Sequence, residues 1–240
     1  MHLAPIVTCD VDCDSCPRRS QTIYHHVLEE RSNTVKRIRK GAVHLRANQT
    51  IARAGERSPL TYTIYSGWAY YCLLFPDGRR QIIRFLIPGD MICFAGMFDT
   101  PMLATARTLT DVTLCTFDVK EMHALLSKED EVQASFNILL MESVDCLLHR
   151  LADIGQRRAK GRIAKFLLEI EKRLRDSGLS KDGEFDFPPR QEHIADALGL
   201  TPVHVNRTLA QLRKENVIDF RRGAMRILDF EALNKIAEED

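Results

Sequence analysis

The chain has 240 residues, enough for one large domain or two ordinary ones, and its 45% hydrophobic content supplies a core in either case, which excludes general disorder. Its 34 basic and 33 acidic side chains leave a formal charge of +1, so a nucleic-acid or membrane partner has to be signalled locally rather than by bulk charge. The first twenty residues hold no apolar signal-type run, and the apolar stretches Tyr70–Phe75 and Met91–Phe98 are far shorter than a membrane span; a soluble, cytoplasmic protein with no membrane partner is expected.

Residues 1–30 form a cysteine-bearing segment. Cys9, Cys13 and Cys16 fall within eight residues that follow no secondary-structure pattern, and the seven cysteines in all are an odd number in a chain too long to need disulfide staples. Reduced thiols at that spacing suit an iron–sulfur site, a zinc site or a thiol redox switch; the bland alternative is a set of free, solvated cysteines. Cys72, Cys93 and Cys146 lie in patterns that fit small core hydrophobes.

Residues 31–126 read as β-structure. From Lys40 to Asp118, β-prone runs are broken by turn signals at Gly41, Ala54-Gly55, Ser66-Gly67, Pro76-Asp77-Gly78 and Pro88-Gly89-Asp90, a spacing of about ten residues that predicts an antiparallel β-roll. The runs flanking Pro76-Asp77-Gly78 form a hairpin, because proline presets φ and glycine supplies φ > 0.

From Ser127 the period changes. Phe136, Leu140, Val144, Leu147, Leu151 and Ile154 recur at gaps of 4, 4, 3, 4 and 3, the stripe of one long helix over 127–158. Such a stripe serves either packing on the chain's own roll or a two-helix seam between subunits. Residues 159–240 form a smaller domain that opens with a second helical stripe, Ile163, Phe166, Leu167, Ile170 and Leu174, closed by the loop 176–183. Between Arg157 and Arg226 there are 16 basic and 10 acidic side chains, so the positive charge is concentrated here, as a DNA-binding module requires.

Within that domain Gln191–Leu198 reads as a short helix, Gly199-Leu200 as a tight turn, and Thr201-Pro202 as a new helix start with Thr as N-cap and Pro at the first position. Val205, Leu209 and Leu212 form its buried stripe and leave Val203, Asn206, Arg207 and Ala210 on the outer face. Two helices on a short glycine turn predict a helix-turn-helix, and the forks of Asn206 and Arg207 match adenine and guanine edges in the major groove. After it, Val217–Phe220 and Met225–Leu228 flank Arg221-Arg222-Gly223, a hairpin wing with two cations in reach of phosphates. Arg190, Gln191, Thr201, His204 and Arg213 complete the expected DNA contacts. No nucleophile–base pairing or phosphate-cradling glycine loop argues for an enzyme, and electron carriage alone leaves a basic winged helix-turn-helix without a purpose.

These stretches, above all Ala54-Gly55-Glu56, Ser66-Gly67, Pro88-Gly89-Asp90 and the run from Ala197 to Leu209, resemble the Crp/Fnr family of bacterial transcription regulators over nearly the whole chain. The resemblance implies an α+β architecture: an N-terminal antiparallel β-roll of the cyclic-nucleotide-binding jelly-roll type, a long dimerisation helix and a C-terminal winged helix-turn-helix. It implies a homodimer joined along Phe136 to Ile154, and double-stranded DNA and RNA polymerase as the other partners. The family's usual recognition-helix Glu is here Val203, so its usual half-site does not carry over; Val203 would meet a thymine methyl or nothing. Members close to the cyclic-AMP receptor hold the nucleotide with a Glu and an Arg after the Gly-Asp turn. Here Phe94 stands at the Glu position and the only Arg of that segment, Arg107, falls in the next strand, so no cyclic nucleotide is expected. The oxygen-sensing Fnr branch carries a 4Fe-4S cluster on N-terminal cysteines and one distant ligand, which matches Cys115. Its third N-terminal ligand lies six residues beyond the C-x2-C pair, where this chain has Thr22, so the matching set is Cys9, Cys13, Cys16 and Cys115. The function implied is a DNA-binding regulator responding to oxygen, redox state or nitric oxide; the alternatives are control by another small effector, zinc or thiol oxidation, or a metal or electron-carrying protein.

Overall fold

The structure, a computed structural model, describes residues 36–221 and 223–239; Cys9, Cys13, Cys16 and Arg222 lie outside the described residues. The chain divides into two compact units, one holding the residues up to Arg79 together with Ile83–Val144, the other Arg80–Ile82 together with the residues from Asp145 on.

The first unit is built on eight strands: β1 (Arg39–Leu45), β2 (Thr50–Ala52), β3 (Leu60–Ser66), β4 (Ala69–Leu74), β5 (Arg80–Leu86), β6 (Met91–Ile92), β7 (Thr105–Thr108) and β8 (Val112–Asp118). They form two four-stranded sheets, β1-β8-β3-β6 and β2-β7-β4-β5. The β1/β8, β3/β8, β3/β6, β2/β7 and β4/β7 pairings are all antiparallel, as the regular turn spacing predicts. Strand alternation divides the apolar side chains of β8 between two layers. Val112 and Leu114 join Val43, Ile51, Ile64 and Ile92 in one core, whereas Cys115 and Phe117 join Ile38, Met91 and Met97 in another.

The hairpin turn at 76–78 closes as expected: Phe75 N donates to Arg79 O at 2.9 Å, and Gly78 has φ of 84°. Gly41 departs from expectation. It lies inside β1 at an irregularity in the register with β8, so it is a β-bulge rather than a turn. At Gly67, φ is 85° and a Cβ would lie 2.0 Å from the Asp111 carbonyl oxygen, so both conformation and space demand glycine.

Helix α1 (Val119–Leu126) follows β8 directly, with the Asp118 carboxylate accepting from Lys120 N and Glu121 N as its N-cap. Its Met122, Leu125 and Leu126 cover the layer that holds Cys115. Helix α2 (Asp130–Gln156) is 27 residues long. Phe136, expected on an intersubunit seam, is 2% exposed and sits in that same layer with Val132, while Leu140 packs partly buried against it. The start of the stripe therefore serves the chain's own roll. Farther along, Met141 (66% exposed), Val144, Leu148 (61%) and Leu151 (71%) form an open apolar line at gaps of 3, 4 and 3, flanked by half-exposed Leu147. Ile154 is half-buried.

In the second unit, α3 (Ala159–Asp176) buries Ile163, Phe166, Leu167, Ile170 and Leu174, the stripe read from sequence. The expected loop 176–183 holds a two-residue strand, β9 (Ser180–Lys181), paired with β10 (Glu184–Asp186). Then come α4 (Gln191–Leu198), α5 (Pro202–Lys214), β11 (Ile218–Arg221), β12 (Ala224–Ile227) and α6 (Phe230–Glu239), with sheet order β11-β12-β10-β9. Phe187 anchors this core, meeting Phe166, Phe185 and Phe220 edge-on at 6.1, 6.0 and 6.0 Å. The end of α2 is fixed to this unit by charge: Arg150 pairs with Glu169 at 2.8 Å and lies over the Phe166 ring, and Arg157 bridges the Asp153 carboxylate and the Ala237 carbonyl. No helix among the described residues is long and apolar enough to cross a membrane.

Candidate nucleic-acid interface

Helix α4 ends on Gly199 in the left-handed conformation (φ 63°), which turns the chain into α5 within three residues. Thr201 caps α5, its hydroxyl accepting from His204 N at 3.2 Å, and Pro202 occupies the first turn. Val205, Thr208, Leu209 and Leu212 are buried beneath. Three polar clamps hold the pair of helices. Arg162 donates to the Leu198 carbonyl at 3.1 Å, satisfying the end of α4. Lys160 meets Glu215 at 2.8 Å at the end of α5, and this bond first, with a second from Gln211, holds the Glu215 carboxyl below the usual range. His193 accepts the Arg190 N–H on Nδ1 at 3.1 Å, and burial lowers its pKa from 6.5, so the ring is held neutral at the start of α4.

The outer face of α5 matches the sequence reading. Val203 is 75% exposed, and His204, Asn206, Arg207 and Ala210 are exposed beside it. Asn206 and Arg207 make no hydrogen bond or ion pair among the described residues, so their forks are unengaged. Thr201 and Arg190 are exposed and Gln191 is half-buried. At the wing, β11 and β12 pair in register from Ile218↔Ile227 to Arg221↔Ala224 around the predicted turn. Arg221 and Arg213 are both engaged by Asp219, a residue sequence reasoning passed over, at 2.8 and 3.4 Å. Lys160 and Arg162 were likewise missed; their partners, a carboxylate 55 residues away and a helix-end carbonyl respectively, leave no local signal.

In the first unit, Cys115 is 8% exposed on β8 within the layer containing Phe136. Cys72 and Cys93 are buried as expected, and burial pushes the Cys93 thiol up to about 12. Cys146, in the second unit, is more than a packing residue: its thiol donates to Glu169 at 3.3 Å. Phe94 packs partly buried on the Cys115 layer and meets the Phe136 ring edge-on, and Arg107 lies on β7, donating to Asn48 O at 2.9 Å. Among the described residues no three His, Cys, Asp or Glu side chains gather as metal ligands.

Residues 161–236 match the model of a Crp-like helix-turn-helix domain and residues 42–129 that of a cyclic nucleotide-binding domain. The chain is 26% identical over 234 residues to the transcriptional activator FnrL of Cereibacter sphaeroides, covering 95% of this chain and 92% of the relative. It is 29% identical over 242 residues to the transcriptional activatory protein AadR of Rhodopseudomonas palustris, covering 97% and 98%. In fold it is similar to FixK2 from Bradyrhizobium japonicum (TM-score 0.74, 23% identity, 83% of this chain and 98% of that one). It is also similar to a CooA mutant from Carboxydothermus hydrogenoformans (TM-score 0.72, 17% identity, 90% and 96%). Roll, long helix, helix-turn-helix and wing, in that order and over that coverage, place the chain in the Crp/Fnr family of DNA-binding transcription regulators.

Proposed function

We propose that the protein is a cytoplasmic homodimer that reads a pseudo-palindromic operator with α5 of each protomer, works together with RNA polymerase, and has its DNA affinity set by oxygen, redox state or nitric oxide. The observation that carries the DNA-reading part is the exposed face of α5. Two unengaged forks, Asn206 and Arg207, stand beside an apolar Val203 that serves no core, on a helix whose other side is fully packed. Asn206 and Arg207 would pair adenine and guanine edges, Val203 a thymine methyl, and the wing cations phosphates. The dimer seam is the apolar line Met141, Val144, Leu148 and Leu151, with Leu147 beside it; left bare, such a line is unfavourable in water. The role is regulatory, not enzymatic, and uses no cyclic nucleotide, because aromatic Phe94 stands at the Glu position and Arg107 lies on the next strand, donating from Nη2 to the Asn48 carbonyl.

A 4Fe-4S cluster would be held by Cys9, Cys13, Cys16 and Cys115 and would supply a centre that reacts with oxygen and nitric oxide. The one ligand among the described residues fits in chemistry: Cys115 is a thiol, 8% exposed, within an apolar layer. Cys115 shares that layer with Phe117, Met122, Val132 and Phe136, so any displacement at its sulfur bears on the first turns of α2. That packing offers a route from signal to seam.

The test is anaerobic purification with iron and sulfide counts and gel shifts with and without air. Cys115→Ser should remove both the iron and the anaerobic DNA binding, and Cys72→Ser neither. Wild-type protein without iron that binds DNA equally well in air would leave the regulator without a cluster and return Cys9, Cys13 and Cys16 to zinc binding or thiol oxidation.

A further inference from the structure

A half-buried carboxylate sits on the wing where phosphates are to be met. Asp219 Oδ2 accepts from Arg221 Nε at 2.8 Å, and its Oδ1 lies 3.4 Å from Arg213 Nε. The second separation is that of an ion pair rather than a hydrogen bond, and Oδ1 is buried without a hydrogen-bond partner among the described residues. Both arginines approach with Nε, on the side edge of the guanidinium. The side chains of Arg221 and Arg213 stay 73% and 55% exposed, so both guanidinium groups remain open to a phosphate while paired. The solvent face of the hairpin carries a third cation, Arg226, in register opposite Asp219.

An acidic side chain on a DNA-facing surface repels phosphate, and a wing that needed only charge would do better with a neutral residue there. We infer that Asp219 is a positioning residue: it joins Arg213 at the end of α5 and Arg221 at the tip of β11 into one preset phosphate clamp. The carboxylate fixes two long, rotamer-rich side chains before DNA arrives, so their ordering cost falls on folding instead of on binding. It also couples the two DNA-facing elements, α5 and the wing, through one shared group. Arg213 and Arg221 then act as a pair, and removing either weakens the hold on the other. This rests on the DNA-binding reading above.

The two accounts of Asp219 differ in sign. Removing a negative charge near phosphate, with nothing else altered, tightens DNA binding and steepens its salt dependence. Removing a positioning group does the reverse. The experiment uses the full-length protein and a random-sequence DNA duplex, titrated by fluorescence anisotropy over a range of salt. Asp219→Asn keeps shape and one acceptor, and circular dichroism melting checks the fold. Binding should weaken by about tenfold, with the slope of log K against log salt shallower by about 1.8, the counterion release of one phosphate contact per protomer of a dimer. Arg221→Ala in the Asp219→Asn background should add little, because the contact is already lost. Asp219→Ser serves as the second variant if the first does not fold. Unchanged or tighter binding by the variant, or a fully additive double variant, overturns the positioning role while leaving the DNA reading intact. Failure of wild-type protein to bind any duplex overturns the DNA reading itself.

Discussion

Replacing Leu148 and Leu151 together by Asp should turn the proposed dimer into monomers. These side chains are 61% and 71% exposed in the protomer, so most of their surface remains to be covered by a partner helix. Full burial of a leucine is worth roughly 1.5–3 kcal/mol, and the uncovered part of each therefore about 1–2 kcal/mol. Two-fold symmetry brings four such side chains to the seam, so the double change forfeits about 4–8 kcal/mol before the cost of burying four carboxylates is added. At 1.4 kcal/mol per tenfold, the dimer dissociation constant should rise by about three to six orders of magnitude. Sedimentation velocity at micromolar protein reads this directly. Phe136→Ala separates the seam from the roll: with its ring 2% exposed in the protomer's own core, it should lower thermal stability while leaving association largely intact. A double variant that still sediments as the wild type, or a wild type that is itself monomeric under those conditions, would refute the assignment of the seam.

Arg207→Ala should cost about 1–3 kcal/mol at the best operator and relax the preference at one base position, as read by binding-site selection, whereas Arg221→Ala should weaken all sequences alike. His193 has its pKa lowered by burial, so the unfolded chain takes up a proton that the folded ring resists. Its contribution is present above 6.5 and is lost as pH falls below that value, with a slope of at most about 1.4 kcal/mol per pH unit. His193→Gln, which can still accept from Arg190 N, should flatten the urea midpoint of the DNA-binding unit between pH 6.5 and the lowered value. Gly67→Ala, with a Cβ 2.0 Å from Asp111 O, should cost about 3 kcal/mol or more, while Gly55→Ala, at a similar positive φ but with nothing within 4 Å, should cost only about 1–2 kcal/mol. Equal urea denaturation of the two variants would show that the backbone near Asp111 yields freely.

What could be read from the sequence was whatever carries its own local physics. Gly199, Thr201 and Pro202 each have a conformational or capping reason to be where they are, so the first helix of the recognition element came out with its observed bounds and the second with its observed start. The stripe of α3 was equally plain because all five members face one core. Helix α1 escaped attention because it starts on the last residue of a strand, although Asp118 followed three residues later by Glu121 is the signature of a capped start. Helix α6 escaped because only Leu233 and Ala237 are buried along it. On α2 the periodicity was right, but a stripe does not say which core receives it, and the roll claims Phe136 at one end while the middle stays open. The role of Asp219 was out of reach of the sequence, because it depends on hairpin register and on where α5 ends.

Val203, His204, Asn206 and Arg207 project from a helix whose stability comes from Val205, Thr208, Leu209 and Leu212 on its other side, and from clamps at its two ends. Exchanging an exposed residue of this kind shifts folding free energy by only about 0.5 kcal/mol, whereas a single altered base contact shifts operator preference by about 1–3 kcal/mol. Target choice can thus drift almost independently of foldability. A lineage that duplicates such a gene can give the two copies separate operators through a few changes at these positions, without any compensating repair of the interior.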